Sequence, residues 1–485
     1  MRIPLDRHSE IPLYEQVQDY LRTHIVAGQL APETRLPATR KLAKELGVSR
    51  ITIQNAYANL ESEGLIANRE GSGAYVLPPV QMQTAVTDSS SHQWPLWQQA
   101  LSDTTAKQLT TSLPSHPDTI SFTGVGDPRH FPLKDFQKSL NAVLKNEGSA
   151  VLEYGEMGAG YGPLRETVAH ILASQGIQTY AQNVLITTGS QQALALICQV
   201  LLKPGDVVLV EKPTYNFALN LFRTLGLEIV GVPIDEDGLI VEQLEPLLQQ
   251  HHPKLLYTIP NFQNPSGVCL AGARRRQLIA LAERYNLPIL EDDFVGDLRY
   301  NGRSQPAIKA LDPMGQVIYV GTFSKMLMPG LRLGYVVADG PLFGRLVQLK
   351  QVTDLNSSPL IQHVVNDYIS VGRYQSHLRR SIRRYRQRRD AMLDAIKQYL
   401  PPEVTVIPPQ GGLFVWLRLP PLLSALALRP LAAQAGVAYA PGSWFFPEPE
   451  EGEPYVRLNF AVQTPDRIAE GIRRLGRVAE EAAVN

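Results

Sequence analysis

GTFSKMLMPGLRLGY, Gly321–Tyr335, decides the fold of most of this chain. It continues the apolar run VIYVG and carries two hydroxyls (Thr322 and Ser324), a lysine (Lys325) and an arginine (Arg332). Hydroxyls and a guanidinium at the carboxyl end of a strand can hold a phosphate dianion, and a lysine kept in a low-solvent pocket can attack an aldehyde to form an imine. A lone lysine is ordinarily a solvated surface charge, so this reading depends on partners elsewhere in the chain.

Such partners occur in order. Leu185–Gln192, LITTGSQQ, reads as a strand followed by Gly189 and Ser190 opening a helix, whose free first-turn amides form a phosphate cradle that includes Gln191. Asp292, after the run LPILE, can pair with a protonated pyridine nitrogen. Asn264, in FQNPSG, can donate to a ring's phenolic oxygen. Tyr215, in EKPTYNF, can stack on a ring face, and Arg457, in YVRLNF, can clamp a carboxylate bidentately. Each has an ordinary alternative: a helix cap, a core tyrosine, a surface ion pair. The ordered set outweighs them.

The runs VLIT, VVLVE, LLYTIP, LPILEDD and VIYVGT alternate with longer amphipathic segments from about Ser112 onward. That alternation predicts an α/β domain with a mostly parallel sheet, whose ligands gather at the strands' carboxyl ends.

Upstream lies a different pattern. Leu36–Ile66, LPATRKLAKELGVSRITIQNAYANLESEGLI, splits into two short helices around Gly47. Leu42, Ala43 and Leu46 face inward on the first, Ser49 caps the second, and Ile53, Tyr57 and Leu60 form its buried stripe. This predicts an α+β winged helix-turn-helix over residues 1–78. Arg40, Arg50, Thr52 and Asn55 are then left near base edges and phosphates. Arg69, Glu70, Gly71, Ser72 and Gly73 lead into a small hairpin, the wing, where glycines permit close approach to a phosphate.

Residues 1–78 hold nine basic and nine acidic residues, yet between Arg35 and Arg50 five cations (Arg35, Arg40, Lys41, Lys44 and Arg50) face Glu45 alone. Local clustering therefore carries the case for DNA. A Gln-, Ser- and Thr-rich stretch over 79–112 predicts a flexible linker, leaving 113–485 as the large domain.

The 485 residues exceed what one core usually supports, and 44% hydrophobic against 19% charged residues excludes a disordered chain. Lysine plus arginine and aspartate plus glutamate both number 46, so net charge is silent about partners. Cys198 and Cys269 show neither disulfide nor metal spacing, and neither a signal peptide nor a membrane span is expected. A cytoplasmic protein without a metal site is the expectation. The arginine-rich run Arg379–Arg389 is expected to be a solvated helix face, with a contact to bent operator DNA or to anionic groups of the partner subunit as the alternative.

The N-terminal part resembles the GntR family of winged-helix regulators through PLYEQV, LPATRKLA, VSRITIQNAY, EGLI and GSGAYV. From about Ile120 the chain resembles class I aminotransferases, fold-type I pyridoxal 5'-phosphate (PLP) enzymes. The combination is similar to the MocR subfamily. The resemblance implies a homodimeric, PLP-dependent transcription regulator that binds operator DNA and senses PLP itself or an amine or amino-acid effector.

By the same resemblance, Lys325 carries the internal aldimine, Asp292 meets the pyridine nitrogen, Asn264 the phenolic oxygen and Tyr215 the ring face. Ser190, Gln191, Thr322, Ser324 and Arg332 surround the phosphate, with Tyr154 contributed by a second subunit. Arg457 receives the effector carboxylate, and Arg40, Ser49, Arg50, Thr52, Gly71, Ser72 and Gly73 serve DNA. Two positions depart from the family: Phe294 stands where a tyrosine is common, and Phe217 where the GABA-sensing relative has an arginine. GABA is therefore a poor candidate effector. The competing readings are a working aminotransferase with a DNA-binding appendage, and a DNA-binding protein whose large domain is only a scaffold.

Overall fold

The computed structural model describes residues 3–69, 71–78, 118–124, 126–155, 157–421 and 423–484. The chain divides into two compact units, Met1–Thr110 and Thr111–Asn485. The expected linker 79–112 and the wing residue Glu70 lie outside the described residues.

In the first unit, α1 (Leu13–Val26), α2 (Thr39–Leu46) and α3 (Arg50–Ser62) precede an antiparallel hairpin of β1 (Ile66–Arg69) and β2 (Gly73–Val76). Gly47 ends α2 at φ 63°, a left-handed conformation that glycine adopts without a Cβ penalty. The Ser49 hydroxyl then accepts from the Thr52 amide at 3.1 Å and caps α3. Val17, Leu21, Leu42, Ile53, Tyr57 and Leu60 bury the faces between the helices. Full burial of each aliphatic side chain there contributes roughly 1.5–3 kcal/mol. The segment before α2 pairs with β2 through Leu36 N to Ala74 O (2.8 Å) and Val76 N to Thr34 O (3.0 Å), which stiffens the wing.

The second unit begins with β3 (Ile120–Ser121), β4 (Val184–Thr187), β5 (Val207–Lys212), β6 (Glu228–Asp235) and β7 (Gly238–Leu239). There follow β8 (Leu255–Thr258), β9 (Ile289–Asp293), β10 (Val317–Thr322) and β11 (Gly334–Val337). The large sheet has the order β4-β11-β10-β9-β8-β5-β6-β7. Strands β10, β9, β8, β5 and β6 run parallel. Strand β11 is antiparallel to both β10 and β4, and β7 is antiparallel to β6. Burial on both faces explains why these strands read as continuous apolar runs instead of alternating ones.

A smaller antiparallel sheet, β12-β13-β16-β15, is built from β12 (Thr405–Val406), β13 (Phe414–Arg418), β15 (Ala440–Pro441) and β16 (Tyr455–Asn459). Between them β14 (Val437–Ala438) pairs in parallel with β3.

Two expectations need correction. Strand β9 continues through Asp293, so Asp292 lies inside a strand and not after it. Its acidic end tolerates burial because Glu291 accepts from the amides of Ile308 (2.9 Å) and Lys309 (2.8 Å). The arginine-rich run, on the helix Arg373–Tyr399, is not wholly solvated. Arg388 and Arg389 turn inward: Arg388 pairs with buried Asp127 at 2.7 Å, and Arg389 donates to Pro409 O at 3.0 Å. Arg379, Arg380, Arg383 and Arg386 remain exposed.

Candidate functional site

The carboxyl ends of β4 and β10 lie one strand apart, joined through β11, and this brings two distant segments together. After β4, Gly189 at φ 82° turns the chain into the helix Ser190–Leu201. The first amides of that helix have no intrahelical acceptor and form its positive end. A Cβ on Gly189 would stand 2.7 Å from Arg332 Nη2, so the missing side chain is what lets the guanidinium lie against the turn. Arg332 itself is exposed and left-handed at φ 47°, following the short turn Pro329–Leu331.

Beyond β10, the Thr322 hydroxyl donates to Leu333 O at 3.3 Å and accepts from Ser324 N at 3.1 Å. It shapes the turn that presents Lys325. Ser324 Oγ is buried and has no partner. Lys325 is half-buried, and its amine is pulled down to about 8, first by burial and then by the charges of Arg457 and Arg332, against the opposing pull of Asp292.

Asp292 accepts the Tyr257 hydroxyl on Oδ2 at 2.8 Å, while its Oδ1 is buried without a partner. Burial pushes this carboxyl up to about 6, opposed by the Tyr257 hydrogen bond and reinforced by Asp293. Arg457, on β16, is buried between the rings of Phe414 (4.2 Å) and Phe445 (4.6 Å). Its Nη1 donates to Asn264 Oδ1 at 2.8 Å, and its Nε has no partner. Burial draws the guanidinium down to about 10, so it remains a cation at neutral pH. Among the described residues Asp292, Lys325 and Arg457 make no ion pair.

Tyr215 precedes the helix Asn216–Thr224, and its phenol is pushed up to about 12, chiefly by burial and then by Asp292. Its ring is 5.7 Å from that of Phe217, which is 50% exposed. Gln191 Nε2 donates to Phe217 O at 3.3 Å and ties this loop to the first one. Phe294 stacks on Phe414 at 6.2 Å and so backs the ring under Arg457. Tyr154 stands apart: its side chain is 72% exposed and shares none of these contacts, while its carbonyl accepts from Asn356 Nδ2 at 3.0 Å.

Tyr257, Phe414 and Phe445 are the residues that sequence reasoning missed. Tyr257 gives a trace of itself as the phenol in the apolar run LLYT. The two phenylalanines read as core, and only the tertiary structure sets them on either side of a cation.

In the first unit Arg35, Arg40, Lys41, Lys44 and Arg50 are exposed and make no ion pair among the described residues. The acids are used elsewhere: Glu63 accepts from Gln18 (2.6 Å) and Arg22 (2.8 Å), locking α1 to α3. Thr52 Oγ1 lies 2.8 Å from the capping Ser49 hydroxyl, so both side chains are partly committed to the cap. At the wing tip Gly71 (φ 73°) and Gly73 (φ 104°) supply the turn, and Ser72 Oγ lies 2.6 Å from the Tyr75 hydroxyl. Arg69 is held by Glu33 at 2.7 Å and lies over the Tyr75 ring.

Among the described residues no helix is long and apolar enough to cross a membrane, and no group of three or more histidine, cysteine, aspartate or glutamate side chains is arranged to hold a metal.

Comparison with known proteins matches residues 122–475 to the family "Aminotransferase class I and II" and residues 13–76 to "Bacterial regulatory proteins, gntR family". The chain is 31% identical to the probable rhizopine catabolism regulatory protein MocR of Rhizobium meliloti, over 97% of this chain and 94% of that one. It is 38% identical to aromatic-amino-acid aminotransferase 1 of Thermococcus litoralis, over 75% of this chain and 88% of that protein. Among solved structures, LysN, the α-aminoadipate aminotransferase of Thermus thermophilus, is similar at 37% identity and a TM-score of 0.72. The match covers 76% of this chain and 94% of LysN, which was crystallised with N-(5'-phosphopyridoxyl)-L-leucine.

Proposed function

Because this chain belongs to the MocR-type GntR regulators, with a DNA-binding helix-turn-helix and a class I and II aminotransferase domain, we propose that it is an intracellular, homodimeric operator-binding sensor. In this reading PLP is bound at Lys325 and an amine or amino-acid effector, or PLP itself, sets how the two DNA-binding domains are presented. The single observation that carries it is the set Asp292, Lys325 and Arg457, which make no ion pair among the described residues, beside a glycine turn and a helix N-terminus.

The residues present fit PLP. Asp292 Oδ1 and Ser324 Oγ are buried polar atoms without partners, and the missing side chain at Gly189 lets the Arg332 guanidinium lie against the turn at the helix N-terminus. Such orphaned atoms are costly unless a ligand satisfies them. When bound, PLP supplies an aldehyde for an amine and a ring that withdraws electrons.

The protein's own part follows from its charges. Ser190, Gln191, Ser324 and Arg332 would hold the phosphate, with Thr322 shaping the turn. Asp292 Oδ1 would accept the pyridine N–H, while the Tyr257 hydroxyl keeps the carboxylate oriented through Oδ2. Asn264 has its carbonyl oxygen occupied by Arg457, which leaves its NH2 to donate to the phenolic oxygen. Tyr215 covers the ring face. Lys325, drawn down to about 8, is about one-tenth neutral at pH 7, far more than an ordinary lysine, and would be the nucleophilic amine. Arg457, flanked by Phe414 and Phe445, offers its remaining N–H groups to the effector's carboxylate, and their burial makes that charged pairing stronger than in water. Tyr154, exposed and apart from this site, would meet the phosphate bound by the partner subunit, as the family resemblance implies.

The test measures visible absorbance and operator affinity on one preparation. Uptake of PLP with a yellow band, and operator affinity that changes with PLP or an amino acid and no longer does so in Lys325→Ala, is the expected result. A colourless protein, or DNA affinity indifferent to every ligand and to that substitution, overturns the reading.

The intact polar set also favours a second reading, an active aminotransferase with a DNA-binding appendage. Steady-state turnover of amino donors and keto acids at about 1–1,000 per second would support it; slow half-reactions alone would support the sensor.

A further inference from the structure

Behind the turn Thr187–Gln192 lies a charged cluster with no part in the site described above. Lys350, fully buried on the helix Gly340–Asp354, places Nζ 2.8 Å from Asp354 Oδ1 and 3.0 Å from Oδ2. Asp354 Oδ2 also accepts from Gln192 Nε2 at 2.6 Å and from the Thr188 hydroxyl at 3.1 Å. Gln192 Oε1 in turn accepts the Thr188 amide at 2.7 Å, and the Thr188 and Ser357 hydroxyls are 3.0 Å apart.

One carboxylate thus grips the residue before Gly189 and the third residue of the helix after it. Lys350 is fully buried while the Asp354 side chain is 25% exposed, and such a pair is a poor source of stability, because desolvation of the lysine offsets the attraction. It is an effective way to hold a short loop in one geometry, since a charged acceptor with three donors tolerates little displacement. The loop so held is the one whose amides at Ser190 and Gln191 must converge on a phosphate.

We propose that Asp354, backed by Lys350, is a positioning residue for the phosphate loop: it touches no ligand and sets affinity for the phosphate group through Thr188 and Gln192. This rests on the reading of the site as a PLP site. Helix Gly340–Asp354 thereby becomes a determinant of phosphate recognition, although none of its residues was expected in the site.

The experiment titrates the unaltered chain, Asp354→Asn and Thr188→Val with PLP and, separately, with pyridoxal, which lacks the phosphate, following visible absorbance and checking the fold by circular dichroism. The expected result is a loss of PLP affinity of about tenfold or more in Asp354→Asn, and a smaller loss in Thr188→Val, with pyridoxal affinity within about twofold of the unaltered chain. A merely structural role would lower both affinities together. Equal losses for the two ligands, or no loss, in a folded variant overturns the proposal. Should Asp354→Asn not fold, Thr188→Val, which removes the hydroxyl's bonds to Asp354 and Ser357 but leaves the Lys350–Asp354 pair in place, decides by the same comparison. An unaltered chain that takes up neither ligand overturns the reading of the site itself, and is recognised by failing before any substitution is made.

Discussion

Asn264 and Arg457 are joined by a 2.8 Å hydrogen bond although 193 positions separate them in the chain. In the proposed site the bond would make the amide that meets the cofactor and the guanidinium that meets the effector carboxylate one unit. Disturbing the arginine should therefore be felt on both sides.

Arg457→Lys is expected to weaken an amino-acid effector by about tenfold to a hundredfold, because a lysine cannot reproduce a planar two-pronged donor held between two rings. PLP uptake should persist with a smaller change, from the freed Asn264 amide. Spectral titration with a panel of amino acids, before and after the substitution, measures both effects.

Lys325 links charge to folding. Its pKa of about 8 in the folded chain lies below the ordinary 10.5, so the unfolded chain binds more protons between those values and stability rises with pH across that window. Below about 8 the charged amine opposes folding by up to about 3 kcal/mol. Lys325→Met without cofactor should melt higher than the parent at pH 7, and the difference should shrink as pH rises toward 10. Calorimetric melting temperatures against pH check the sign.

Asp292 and Lys325 together are expected to shape the pH profile of PLP capture. Asp292, pushed up to about 6, must ionise to receive a pyridinium, and Lys325 must lose its proton to attack. Capture rate should rise with pH through about 6 and again through about 8. Stopped-flow absorbance across that range reads both steps, and a flat profile would contradict the assignment of these groups.

Gly189→Ala is expected to damage the phosphate turn more than the fold. Its φ of 82° disfavours any side chain, and the added Cβ would meet Arg332 Nη2 at 2.7 Å. Phosphate affinity, read by competition of inorganic phosphate with PLP, should fall by about tenfold or more, with secondary structure retained.

On the DNA-binding unit, Arg50→Ala should lower affinity for a duplex selected from random sequence and, if the contact is to phosphate, flatten the salt dependence by about one unit in slope. Arg69→Ala should do less, because that guanidinium is already held by Glu33 and the Tyr75 ring. Binding isotherms at several salt concentrations separate the two.

The sequence by itself determined the two kinds of unit and most of the site. Gly47, the Ser49 cap and the Ile53, Tyr57, Leu60 stripe are local signals, and local backbone energetics makes a helix-turn-helix of them. The apolar runs ending near Ser190, Asp292 and Lys325 were legible for a similar reason: a parallel sheet gathers its strand ends on one edge, so order along the chain foretells who meets there.

What only the tertiary structure decided is how those residues are held. Tyr257 reaches Asp292 across neighbouring strands, Phe414 and Phe445 come from separate segments to flank Arg457, and Asp354 meets Thr188 166 positions away. Such contacts leave no periodicity, because each depends on packing between elements and not on the spacing within one. For the same reason the inward turn of Arg388 and Arg389 was invisible in a run of arginines: whether a helical cation faces water or a buried Asp127 is set by what packs against that face.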